Sequence, residues 1–212
     1  MATSVPDQPS STSGLLTFGG YAVEEHGLEG VSFWPRAVAR VIDFVIHYGV
    51  GYFAGTLFRI MLQIAAGGHV PVRIWLKISH LNLPVFVAAL LGATAYQVIC
   101  ETVHGSTLGK LMFSMVVVNE DGSPCRLRAA IIREIGYFPD SIFFGIIAYA
   151  AMQKSRQQQR YGDQWADTVV CKRSDIAQQN LRGAGRFVLG LMLAVMADAA
   201  FMMLGLLIQI NS

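Results

Sequence analysis

Four apolar stretches, set apart by connectors that hold most of the charge, constrain this chain more than any other feature. They cover residues 36–66, 81–100, 129–152 and 187–210. A membrane-spanning helix needs roughly 20 apolar residues, because the hydrocarbon core is about 30 Å thick and a helix rises 1.5 Å per residue. The first, second and fourth stretches meet that length. The third is interrupted by Arg133, Glu134, Pro139 and Asp140. Pro139 has no backbone donor and is expected to kink or break that helix. Only 14% of the residues are charged, where a soluble domain carries about a quarter. The expected fold class is an all-α membrane protein. It is a bundle of three to four membrane helices with a Pro-broken third segment and a small extramembrane β element.

The β element comes from the connectors. Residues 113–118 form a β-branched run ended by the turn Asn119-Glu120-Asp121-Gly122, and residues 168–171 form a second, ended by Lys172-Arg173. The two runs can pair only if both connectors lie on one side of the membrane. Four simple spans would separate them and put many Lys and Arg on both faces, against the positive-inside tendency. A third segment that dips in and returns would put both basic connectors in the cytoplasm. Both arrangements stay open at this level. Residues 1–30 hold Ser, Thr, Pro and Gly with Glu24, Glu25 and Glu29, have no basic start before an apolar core, and are expected to form a flexible polar tail.

The first apolar stretch carries an unusual set of ionisable residues. Arg36, Arg40, Asp43 and His47 are spaced 4, 3 and 4 apart, which places them within roughly 60° of one helix face. A carboxylate inside a membrane helix costs about 2.5–3.5 kcal/mol on insertion scales and normally faces a partner or a water cavity. Arg40 and Arg36, one and two turns before Asp43, are the expected neutralising partners. One reading makes Asp43 the titrating group of an ion or proton site with His47 as relay. The other makes the set a structural ion pair. Arg133, Tyr137 and Asp140 share a face in the third segment, Gln97 and Glu101 close the second, and Asp198 stands alone in the fourth. Gly51 and Gly55 form a small-residue surface suited to helix packing.

Several functions are excluded. Net charge is +2 with no basic tail, so no nucleic-acid partner is expected. Gly105-Ser106-Thr107-Leu108-Gly109-Lys110 has three residues between its glycines and Leu111 after the lysine, so it is not a phosphate-binding P-loop. Neither the five histidines nor Cys100, Cys125 and Cys171 show metal-ligand spacing, and no GxSxG frames a nucleophile. No cofactor, metal site or enzymatic activity is expected.

Five blocks in order resemble the RDD family of membrane proteins. They are Phe33-Trp34-Pro35-Arg36 leading to Ile42-Asp43, the Gly105–Lys110 block, Val116-Val117-Val118 with Asp121-Gly122, Arg128-Ala129 to Arg133-Glu134, and Arg160-Tyr161-Gly162-Asp163 to Thr168-Val169-Val170. The family is named for one Arg and two Asp, and by position the resemblance assigns these to Arg36, Asp43 and Asp163. Arg40, His47, Asp140 and Asp198 lie outside that pattern as candidate supporting groups. Gly162 stands where His often precedes the second Asp, and the fourth apolar stretch has no counterpart. The resemblance divides the chain into a tail (residues 1–32), an RDD-like membrane domain (33–173) and a connector with an additional C-terminal helix (174–212). It implies a cytoplasmic N-terminus and a cytoplasmic-face cluster of Arg36, Asp43 and Asp163.

The expected function is transport or ion exchange by a multi-pass protein, small for a transporter unless it oligomerises, at an intramembrane Arg/Asp site. The alternative is a membrane scaffold or accessory subunit in which that set is structural. The expected location is the bacterial cytoplasmic membrane. The expected partners are the lipid bilayer and a second copy or another membrane protein.

Overall fold

The computed structural model describes residues 28–79, 82–141 and 145–211, so nearly all of the expected tail lies outside the described residues. Three helices are long and apolar enough to cross a membrane: α1 (Phe33–Ala65), α3 (Leu83–Val103) and α8 (Ala184–Asn211). Between α1 and α3 lies the short amphipathic α2 (Val72–Ser79). α3 and α8 make the most extensive helix packing, and α1 leans on both. Small residues set that packing. A side chain on Gly205 of α8 would collide with Ala88 of α3, and Gly51 and Gly55 of α1 face Met202 and Leu206 of α8.

The third apolar segment does not span. It forms α5 (Leu127–Ser141) and α6 (Ile146–Lys154), of 15 and 9 residues, which are about 22 and 14 Å long and too short for the bilayer core. The helix carries through Pro139 to Ser141, so Pro139 does not end it as the sequence suggested, and Gly145 caps the start of α6. Gly145 has φ +84°, a left-handed conformation that a residue with a side chain adopts only under strain.

The connectors fold back together. α4 (Leu108–Met112) leads into β1 (Met115–Asn119), and α7 (Tyr161–Trp165) leads into β2 (Thr168–Lys172). β1 and β2 pair antiparallel, from Met115 opposite Lys172 to Asn119 opposite Thr168. Because β1 precedes α5 and β2 follows α6, this pairing holds both ends of the third segment at the same end of the bundle. That geometry selects the returning segment over the simple span.

The strands read as continuous apolar runs because both faces are covered. Met115, Val117 and Val170 pack with Ala39 of α1, Val98 of α3 and Ala129 and Ala130 of α5. Val116, Val118, Val169 and Cys171 pack with Leu28, Ile176 and Leu181. The Val31 N–H donates to the Val170 carbonyl at 2.8 Å, which ties the start of α1 to the sheet.

Candidate functional site

At the sheet end of α1, Arg36 is 8% exposed in the presence of an acid 127 positions away. Its Nη1 donates to Asp163 Oδ2 at 2.6 Å and its Nη2 to the Val170 carbonyl at 3.3 Å. Asp163, in α7, is wholly buried and meets two further guanidiniums, Arg133 Nη1 at 2.8 Å and Arg160 Nη2 at 3.4 Å. Burial alone would raise the Asp163 carboxyl, but Arg133, Arg160 and Arg36 together hold it well below the usual carboxylate range. Arg133 then bridges onward. Its Nε donates to Glu101 Oε2 at 3.0 Å and its Nη1 to Thr168 Oγ1 at 2.8 Å.

From Glu101 the network continues into the membrane. Lys110 Nζ donates to Glu101 Oε1 at 2.8 Å and to Gln97 Oε1 at 3.1 Å, and Gln97 Nε2 donates to Asp43 Oδ2 at 3.2 Å. Asp43 also accepts from Thr107 Oγ1 at 2.6 Å, the Gly109 N–H at 2.8 Å and the Tyr96 hydroxyl at 3.4 Å. Its carboxylate therefore sits on the first turn of α4, where backbone donors are free to satisfy it. Gly109 makes this approach feasible, since a Cβ there would lie 2.1 Å from the Ala39 carbonyl oxygen. Arg36, Asp163, Arg133, Glu101, Lys110, Gln97 and Asp43 thus form one unbroken chain of contacts.

This corrects the expected pairing within α1. Neither Arg36 nor Arg40 neutralises Asp43. Arg40 makes a two-pronged pair with Glu134 of α5 and lies over the Tyr137 ring, 4.0 Å from its centroid. Shared helix face put Arg40 near Asp43 in sequence, but the guanidinium is matched by the fork of a carboxylate on the neighbouring helix. Arg133 likewise turns to Asp163 and Glu101 rather than to Asp140, although the two share a face of α5.

The geometry has a sequence counterpart. The sequence model of the RDD family matches residues 31–167, which contain every member of the network. The chain belongs to the RDD family. No curated protein and no solved structure matches it. In this family member the Arg and two Asp assigned by the resemblance lie in one network, with Arg36 and Asp163 in direct contact and Asp43 reached through four intermediates. The block around Gly105–Lys110 supplies Thr107 and Gly109, which bind the Asp43 carboxylate, and Lys110, which binds that of Glu101. Gly162 also has a structural reason. A Cβ there would lie 2.8 Å from the Arg133 carbonyl oxygen, and a Cβ on the facing Gly136 would lie 2.4 Å from the Gly162 Cα.

Sequence reasoning missed Lys110 and Glu134 as members of the set. Lys110 stood in a motif that fails as a P-loop and in a family block, with nothing to assign it a carboxylate. Glu134 stood as an interruption of an apolar stretch and at the end of a family block, with nothing to pair it with Arg40.

The remaining candidates lie elsewhere. His47 Nδ1 meets Asp198 Oδ2 at 2.7 Å, joining α1 to α8, so Asp198 is not solitary. Asp198 is 1% exposed, and its Oδ1 has no hydrogen-bond partner among the described residues. A Cβ on Gly92 of α3 would lie 2.2 Å from that oxygen, so glycine is what lets the third helix close over it. Asp198 falls at the middle of α8 and His47 close to the middle of α1. Asp140 is also 1% exposed, and neither oxygen makes a well-formed hydrogen bond among the described residues, the Gly162 N–H and the Arg160 charge lending it weaker support. Among the described residues, no three His, Cys, Asp or Glu side chains converge to hold a metal ion.

Proposed function

We propose that this RDD family protein is a proton-coupled ion exchanger of the bacterial cytoplasmic membrane, and that its exchange site is the His47–Asp198 pair rather than Asp43. The carrying observation is the Asp198 carboxylate, buried between three spanning helices with one oxygen on an imidazole and the other unoccupied. Buried ionisable groups at the midplane mark ion and proton pathways by default. An imidazole and a carboxylate sharing a proton can release it when a cation takes the free oxygen.

Asp43 is poorly suited to that task. Four donors already fill its acceptor sites, so giving up or taking a proton would break the contact between α1 and α4. Arg36, Asp43 and Asp163 serve as the structural clasp that holds α1, α3, α5 and the sheet in register. The sheet end faces the cytoplasm in this reading, and the protein is not an enzyme.

The test is flux. The full chain in proteoliposomes, with an imposed pH gradient, should dissipate it on addition of a monovalent cation salt. His47→Gln should reconstitute in the same amount with flux reduced at least tenfold. Wild-type flux from His47→Gln would refute the assignment.

A second reading rests on a different observation. Only 22% of the residues in the most apolar stretch of α1 and of α8 are buried inside the bundle, which leaves apolar side chains of both helices for neighbours. Tyr52, Phe53 and Ile64 are all at least 71% exposed. This favours a scaffold or accessory subunit that packs against a second copy or another membrane protein. A wild-type protein with no flux for any monovalent cation would favour it.

A further inference from the structure

A cavity of about 420 Å³ lies between α1 and the α5–α6 hairpin, on the opposite side of α1's charged face from Asp43. Arg36, Arg40 and Arg160 line it together with Asp140, and Val41 and Phe44 form the part nearest the spanning region. Two of its arginines are incompletely used. Arg36 and Arg160 each keep a buried Nε–H with no partner among the described residues. The Asp140 carboxyl, 1% exposed, has the Arg160 charge and the Gly162 N–H nearby but no well-formed hydrogen bond at either oxygen among the described residues. Unmade hydrogen bonds on buried charged groups are costly, so three such groups around one cavity call for an occupant.

The level of the cavity identifies the kind of occupant. α1 has 33 residues, about 50 Å of helix against a hydrocarbon core of about 30 Å, so its first turns project into the headgroup layer. Arg36 and Arg40 lie in those turns. Val41 and Phe44, 62% and 64% exposed, continue towards the acyl region. Basic pockets between membrane helices at this depth suit lipid phosphates. A phosphate alone would face the Asp140 carboxylate unfavourably, whereas a headgroup carrying a primary ammonium beside its phosphate meets both signs of charge.

We infer that this cavity binds an aminophospholipid headgroup. The phosphodiester lies on Arg36 and Arg160, the ammonium on Asp140, and the first acyl carbons on Val41 and Phe44. The inference is independent of the ion-exchange reading.

Native mass spectrometry of the full chain, released from detergent with defined lipid, tests it. Phosphatidylethanolamine should be retained at one molecule per chain and about tenfold more tightly than phosphatidylcholine, whose methylated amine cannot donate to Asp140, or phosphatidylglycerol, which lacks one. Asp140→Asn should erase the preference over phosphatidylglycerol. Ala37→Phe, which fills the cavity and leaves every charge in place, should lower retention of phosphatidylethanolamine to that of phosphatidylcholine. Equal retention of all three lipids would mean a non-specific annulus and overturn the inference. So would a preference for phosphatidylglycerol, or a preference for phosphatidylethanolamine that survives both substitutions. Unfolding curves of both variants report whether each is folded. If Asp140→Asn does not fold, Ala37→Phe decides.

Discussion

At the residue scale, Asp163 shows how a buried charge becomes a structural commitment. Three guanidiniums converge on it, and removing one partner of such a set leaves the others charged and dry. Asp163→Asn should cost about 3–5 kcal/mol of stability, read as a loss of folded protein in thermal or denaturant unfolding. The pH dependence has a definite sign. The folded carboxyl lies below the usual value of 3.8, so its stabilisation is complete above that value and disappears only as pH falls through the lower, folded pKa. Acid unfolding of the wild type between pH 7 and 5 therefore cannot come from this residue. The ionisable residues themselves were legible in the sequence, because charge inside an apolar helix stands out. Their partners were not. The acid that meets Arg36 is 127 positions away, and helical periodicity describes only neighbours on the same helix. Asp43 illustrates the failure well. The nearest cation in sequence lost to the first turn of α4, whose free N–H donors and Thr107 hydroxyl fit a carboxylate more closely.

At the scale of elements, the two-stranded sheet decides the path of the chain. A lone pair of strands is marginally stable in water, and here α1, α3, α5 and the turns after β2 cover both of its faces. The pairing keeps the connector before α5 and the connector after α6 together, which a spanning third segment would forbid. Single cysteines at Asp121 and Ser174, in a background lacking Cys100, Cys125 and Cys171, should therefore label from the same side with a membrane-impermeant thiol reagent. A cysteine at His69, between α1 and α2, should label only from the other side. Labelling of Asp121 and Ser174 positions from opposite sides would contradict the returning hairpin. The strands and the weak third segment were visible from residue pattern, since β-branched runs and interrupted hydropathy are local features. The choice between span and return was not. It depends on a pairing between residues about fifty positions apart, which no local pattern encodes.

At the scale of the whole molecule, charge is sorted by depth. A clasp of three carboxylates, Asp163, Glu101 and Asp43, with four cations, Arg36, Arg133, Arg160 and Lys110, occupies the sheet end. The middle of α1 and α8 holds the smaller His47–Asp198 pair, which has an acceptor to spare among the described residues. In the proposed function the two sites differ in role, the clasp serving folding and the pair serving exchange. The most direct measurement compares Asp43→Asn with Asp198→Asn, scoring folded yield and cation-driven collapse of a pH gradient in proteoliposomes. Asp43→Asn should fail to accumulate as folded protein, while Asp198→Asn should reconstitute at wild-type yield and lose at least nine-tenths of its flux. A folded Asp43→Asn protein without flux, beside an Asp198→Asn protein with full flux, would contradict the account.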